Sequence, residues 1–237
     1  MLSRFKTNCK NLLLKTNIHK VFSFLIRPAL LISNTIKLSK WISEHVNETN
    51  KNAINFSNRE DHYAHIYNSE VRDNEICYLE FGVFKGDSIK WWLKKNTNPD
   101  SVFYGFDTFE GLPEKWGSYT KGEFYSTIPN IADSRLKFIK GLFQDTLPGF
   151  LKDVKLNKQL VIHLDADLFS STLFVLTSLA PFLKKGDIIL FDEFNVPNDE
   201  FSAFEIFCRS YYVNYELLSA TRNFFQIGIK IVSEDNK

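Results

Sequence analysis

From about residue 70 onward, short apolar runs alternate with helix-length segments, the pattern of a parallel sheet covered by helices on both faces. Five runs, at 76–81, 102–106, 136–140, 160–164 and 187–191, are nearly continuous in apolar residues, as strands buried on both faces require. Between them, 88–95 and 172–185 have the length and apolar spacing of crossover helices. The second is expected to end in a cationic turn, Lys184-Lys185, with Gly186 as its C-cap. In the last third the pattern predicts a helix over 200–210, and the runs 212–218 and 223–232 are close enough to pair as an antiparallel hairpin. Residues 1–70 read as helical with weaker patterning. The expected fold class is α/β, a Rossmann-like sandwich whose mostly parallel sheet ends in a C-terminal antiparallel hairpin.

Charge changes this picture at one place. Residues 1–43 hold eight Lys or Arg and no Asp or Glu, which leaves 21 basic against 28 acidic residues in the remainder. So acidic a body is a poor partner for a phosphate backbone, and nucleic acid is not expected to bind. The three cysteines, Cys9, Cys77 and Cys208, are far apart and form no CxxC pair, which argues against a disulfide framework or zinc site and suits a reducing, cytoplasmic setting. The apolar stretch 21–33 is 13 residues long and contains Arg27 and Pro28, and no A-x-A-like cleavage site follows. It reads as neither a membrane span, which needs about 20 apolar residues, nor a signal peptide.

The chemistry concentrates at predicted strand ends. After the first strand, residues 80–88 read E-x-G-x-x-x-G-x-S, a glycine turn into a helix that lets a ligand approach the backbone. Phe84 stands where a dinucleotide fingerprint has its middle glycine, which disfavours a pyrophosphate and tolerates an amino-acid carboxylate. Asp107 ends the second strand, where an acidic residue holds ribose hydroxyls; the alternative is a helix N-cap. Asp165 and Asp167 follow the fourth strand, and Asp192 and Glu193 follow the fifth. Carboxyl ends of adjacent parallel strands converge on one crevice, and an all-oxygen set of like charges suits Mg²⁺ or Ca²⁺ better than zinc. Asp167, with Ser170 and Ser171 nearby, is the first choice for a helix cap, and His163 inside its strand reads as a buried structural residue.

With these residues in view, the chain resembles the class I S-adenosylmethionine-dependent methyltransferases, and among them the macrocin O-methyltransferase (TylF/MycF-like) family. The resemblance rests on E-x-G-V-x-x-G-x-S at 80–88, F-D-T-F-E-G-L-P at 106–113, G-x-F-x-D-T-L-P at 141–148, D-A-D-L-F-S-S-T at 165–172 and F-D-E-F at 191–194. It implies that Glu80, Gly82, Gly86 and Ser88 surround the methionine part of S-adenosylmethionine, that Asp107 holds its ribose, and that 141–145, with Phe143, lies beside its adenine. It also implies a divalent metal, usually Mg²⁺, on Asp165, Asp192 and Glu193; for the base that takes the hydroxyl proton, Asp165 is the first choice in a shared metal-ligand and base role. The implied acceptor is a hydroxyl of a sugar or glycosylated small molecule or glycan. Two departures are visible: Asp192-Glu193 stands where the family often pairs aspartates, and Phe169 where tyrosine is common.

The resemblance divides the chain into an N-terminal helical extension, 1–70, and a methyltransferase domain, 71–237. The basic, apolar extension is expected to cover the acceptor pocket or to help a homo-oligomer form, ahead of a weak contact with an anionic membrane surface, because Pro28 would interrupt an interfacial helix. The rival readings are an NAD-dependent oxidoreductase, against which Phe84 and the carboxylate pairs argue, and a non-catalytic binding protein on the same fold.

Overall fold

The computed structural model describes residues 2–46 and 56–232. Every predicted strand forms: β1 (Ile76–Phe81), β2 (Val102–Asp107), β3 (Leu136–Lys140), β4 (Gln159–Leu164), β5 (Ile188–Phe191), β6 (Tyr215–Ala220) and β7 (Ile227–Ile231). They build one seven-stranded sheet in the order β3-β2-β1-β4-β5-β7-β6. The first five are parallel; β7 runs antiparallel to both β5 and β6. Chain order reverses between β1 and β4, which opens a crevice at their carboxyl ends.

Eight α-helices accompany the sheet among the described residues: α1 (Leu2–Lys15), α2 (Ile18–Phe22), α3 (Ile26–His45), α4 (Arg59–Ile66), α5 (Asp87–Lys95), α6 (Phe143–Asp153), α7 (Phe169–Leu179) and α8 (Glu200–Tyr211). The period-two alternation of β1 and β4 feeds two cores. Leu79, Phe81, Leu160, Ile162 and Leu164 face the layer of α6, α7, α8 and the end of α3. Tyr78 and Val161 face α4 and α5, among Tyr63, Ile66, Ile89 and Trp92. Residues of the N-terminal extension thus enter both cores. Asn58 caps α4 by accepting from the Asp61 amide at 2.8 Å, with Glu60 and Asp61 complementing the first turn.

Three local expectations are corrected. The helix beginning near 172 ends at Leu179 and passes into a 3₁₀ turn at Ala180–Phe182, because Pro181 cannot donate to a continuing α-helical ladder. Gly186 (φ +93°) belongs to the turn into β5, where its amide donates to the Ile231 carbonyl at 2.8 Å, and is not a helix cap. Pro28, expected to interrupt the N-terminal helix, sits in the first turn of α3, where a missing N–H costs nothing.

Buried His62 gives the fold a pH dependence. Burial, with His163 nearby, lowers its pKa to about 3; Ser219 Oγ lies 2.8 Å from its Nδ1, while its Nε2 has no partner among the described residues. Between its unfolded value near 6.5 and about 3, the unfolded chain binds a proton that the folded chain refuses, so this contribution is lost as pH falls through that window. Urea titrations should show His62→Gln removing up to about 1.4 kcal/mol per pH unit of slope between pH 6 and 4. Parallel slopes in wild type and variant would disprove a neutral His62.

Candidate active site

A cavity of about 390 Å³ opens where β1, β2, β4 and β5 end, walled by Gly82, Asp107, Asp165, Asp167, Asp192 and Glu193. Its approach to the backbone depends on Gly82 (φ +92°): a Cβ there would lie 1.8 Å from the Asp165 carbonyl oxygen. The following Phe84 is also left-handed (φ +50°), and Asp107 secures that conformation. Its Oδ2 accepts from the amides of Val83 at 2.8 Å and Phe84 at 2.9 Å, and its Oδ1 accepts from Phe109 at 2.7 Å. Asp107 therefore braces the glycine turn while lining the cavity, with one lone pair of Oδ1 left to accept.

Three carboxylates, those of Asp165, Asp167 and Glu193, present oxygens within 4.8 Å of one another. Asp167 reaches this cluster from a left-handed backbone (φ +58°), a conformation short polar side chains tolerate. It does not cap α7, whose N-cap is Leu168 without a side-chain hydrogen bond. Burial, reinforced by the charge of Asp192, pushes Asp165 well above the carboxylate range. Burial lifts Asp167 to about 6, and burial with the charges of Asp165 and Glu200 lifts Glu193 to about 11. Behind them Glu200 is fully buried, accepts from the Glu193 amide at 2.9 Å and is likewise pushed well up by burial.

Asp192 stands apart from this trio. Its carboxylate meets Arg59 and Tyr63 at 3.4 Å each and the His163 ring at 3.7 Å. Burial would raise its pKa, but these partners hold it below the ordinary range. On the other side of the same imidazole lies Glu80, at 3.7 Å. Burial favours a neutral His163, yet hydrogen bonds and charge from Asp192 and Glu80 outweigh it and raise its pKa to about 10, favouring the imidazolium between the two carboxylates. Tyr78 donates to Glu80 at 2.7 Å and its hydroxyl lies 2.8 Å from His163 Nδ1.

Of the residues singled out in the sequence, Gly82, Asp107, Phe143, Asp165, Asp192 and Glu193 lie on the cavity wall. Glu80, Gly86 and Ser88 do not. Glu80 pairs in register with His163 on the sheet face that packs against α4 and α5 and is 1% exposed. Gly86 forms the left-handed start of α5, where a Cβ would meet Pro129 and Ile131, and Ser88 is buried on the inner side of that helix. Sequence reading missed Arg59, which lies in a weakly patterned segment, and the aromatic wall of Trp116, Tyr119 and Phe124, which lies between β2 and β3 with no periodic signal.

Comparison with known proteins agrees with this geometry. The family model described as Macrocin-O-methyltransferase (TylF) matches residues 125–219, which include the segments after β3, β4 and β5 but not the glycine turn or Asp107. An 8-demethyl-8-(2,3-dimethoxy-alpha-L-rhamnosyl)-tetracenomycin-C 4'-O-methyltransferase of Streptomyces olivaceus is 35% identical over 66 residues, 28% of this chain. The matched segment spans 24% of that relative's length. Among solved structures, the calicheamicin methyltransferase CalS11 aligns over 96% of this chain and 91% of its own, with TM-score 0.53 and 17% identity. The O-methyltransferase NovP aligns over 73% of this chain and 78% of its own, with TM-score 0.54 and 18% identity. A family signature over 125–219 therefore lies at the ligand-facing end of a fold shared with these methyltransferase structures, and the chain is similar to the macrocin O-methyltransferases over that segment.

Proposed function

We propose that the protein transfers a methyl group from S-adenosylmethionine to a hydroxyl of a sugar or glycosylated small molecule, assisted by Mg²⁺ at the acidic trio. The reading is carried by one observation: a single cavity wall holds the close-approach glycine Gly82, Asp107 at the end of β2, and three converging carboxylates. Gly82 leaves room for a ligand against the backbone, Asp107 offers an acceptor to a ribose hydroxyl, and Phe143 and Phe84 offer flat apolar surface to a base. The name of the Streptomyces olivaceus relative supports a glycosyl acceptor.

In the reaction the acceptor oxygen forms a C–O bond to the methyl carbon while the C–S bond of the sulfonium breaks, releasing S-adenosylhomocysteine. Alignment of the two reactants in the cavity supplies most of the acceleration, since the sulfonium is already a good leaving group. The hydroxyl proton would pass to a carboxylate, and Asp165, in the ionised form that a bound cation would favour, is the first choice because it lies on the wall nearest the glycine turn.

The donors present fit a hard cation. All are carboxylate oxygens, burial and mutual repulsion penalise their charged forms, and Glu193 Oε2 is buried with no hydrogen-bond partner among the described residues. Asp165, Asp167 and Glu193 would hold Mg²⁺, which when bound acts as a Lewis acid toward the acceptor hydroxyl. A cmcI structure with Mg and SAM, aligned over 73% of this chain at TM-score 0.50, supports pairing the two. We place Asp192, expected among the ligands, outside this set, because its carboxylate meets Arg59, Tyr63 and His163 at the cavity edge. We also assign the enzyme to the cytoplasm, where the free thiols of Cys77 and Cys208 stay reduced.

Calorimetry tests the reading at its first step. S-adenosylhomocysteine should bind with micromolar-range affinity, about −8 kcal/mol. Absence of binding, or a preference for NAD⁺, would overturn the assignment.

A further inference from the structure

The N-terminal helices present a large unpartnered apolar surface. Leu14, Val21, Phe24, Ile26, Ile32 and Ile36 are each more than 60% exposed. They belong to α1 and to a 28-residue helical run, Ile18–His45, whose most apolar window has mean hydropathy 1.4 and is 11% buried. Only its C-terminal part is fixed to the body. Asn34, Leu38 and Trp41 are buried there; Asn34 donates to Asn198 at 3.0 Å, Lys37 pairs with Glu205 at 2.8 Å, and the Trp41 indole donates to the Tyr215 hydroxyl at 2.7 Å.

The free part, 18–33, has apolar side chains in successive positions and so points them in all directions around the axis. A helix apolar all round is stable only when buried in protein or lipid. At 1.5 Å per residue this stretch is about 24 Å long, short of the roughly 30 Å hydrocarbon core, so it suits embedding in one leaflet rather than crossing.

Three occupants could cover this surface, and charge and position separate them. The catalytic cavity is excluded, since none of its lining residues among those described comes from 2–46. A second copy docked by the same face would bring two surfaces together that both carry Lys15, Lys20 and Arg27 and no acidic residue to pair them. An anionic lipid surface instead complements the six basic residues of 1–33, among which there is no acid, whereas Lys37 and Lys40 are already paired with Glu205 and Glu44.

We propose that residues 12–33 anchor the protein in one leaflet of an anionic bilayer, with Lys15, Lys20 and Arg27 at the headgroups. This is independent of the reading of the cavity.

Flotation of the full-length protein with vesicles tests it, comparing phosphatidylcholine with 3:1 phosphatidylcholine:phosphatidylglycerol in 0.1 M salt. At least tenfold more protein should float with the anionic vesicles. Phe24→Glu/Ile32→Glu should abolish flotation, and Lys15→Gln/Lys20→Gln/Arg27→Gln should reduce it to the neutral-vesicle level. All these side chains lie outside the cavity wall, so unchanged S-adenosylhomocysteine affinity and circular dichroism would establish that the variants are folded. Protein that stays at the bottom with both vesicles overturns the proposal, as does equal flotation with both. An oligomer in sedimentation velocity that Phe24→Glu/Ile32→Glu converts to monomer, without vesicle binding, would assign the surface to a second copy.

Discussion

Turnover should vanish in EDTA and return with Mg²⁺, and Asp165→Asn should lower kcat about 100-fold or more while S-adenosylhomocysteine affinity changes little. The fold should survive this substitution. Burial and the charge of Asp192 already favour the neutral form of Asp165, which asparagine matches in size and charge. What is lost is an ionisable group at the place where the acceptor proton must go.

The same experiment separates the trio from its neighbour. Asp167→Asn removes one of the three converging carboxylates and should raise the Mg²⁺ concentration needed for half-maximal rate by tenfold or more. Asp192→Asn should act mainly on stability, because it leaves buried His163 with Glu80 as its remaining carboxylate neighbour and takes from Arg59 its ion-pair partner. Glu193→Asp creates the paired aspartates common in the family the chain resembles and should keep activity if this carboxylate is a ligand. Full turnover by protein confirmed metal-free would refute the role given to the trio and leave Asp165 as a base acting alone.

The largest effect on the fold is expected at Gly82. An alanine Cβ there would lie 1.8 Å from the Asp165 carbonyl oxygen, a backbone atom that the β1–β4 ladder holds in place. The backbone is also at φ +92°, which no L side chain adopts without strain. Gly82→Ala should therefore cost about 3 kcal/mol or more and, by forcing the ends of β1 and β4 apart, abolish S-adenosylhomocysteine binding. Gly149→Ala is the control. Its Cβ meets nothing within 4 Å on α6, and relieving backbone entropy there should stabilise by up to about 1 kcal/mol. Urea midpoints decide it: comparable values for the two variants would show that the β4 end yields to the intruding methyl group.

The elements of the fold were readable because each rests on local periodicity. All five parallel strands and the final hairpin announce themselves as apolar runs separated by helical spacing, and β1 and β3 begin and end at the expected residues. Chemistry at the strand ends was readable for the same reason, since parallel strands deliver Gly82, Asp107, Asp165 and Glu193 to one edge whatever the rest of the chain does. Tertiary structure alone decided which carboxylates face that edge and which turn away. Glu80 lies two positions before Gly82, but its register beside His163 sets it on the α4/α5 face. Asp192 adjoins Glu193 in sequence, yet Arg59 and Tyr63, brought from 129 and more residues away, draw its charge toward His163. Asp167 looked like a cap and instead completes the acidic trio. Local pattern fixes the backbone because hydrogen bonds and burial repeat along the chain; the partner of a buried charge does not repeat, and only the packed neighbours determine it.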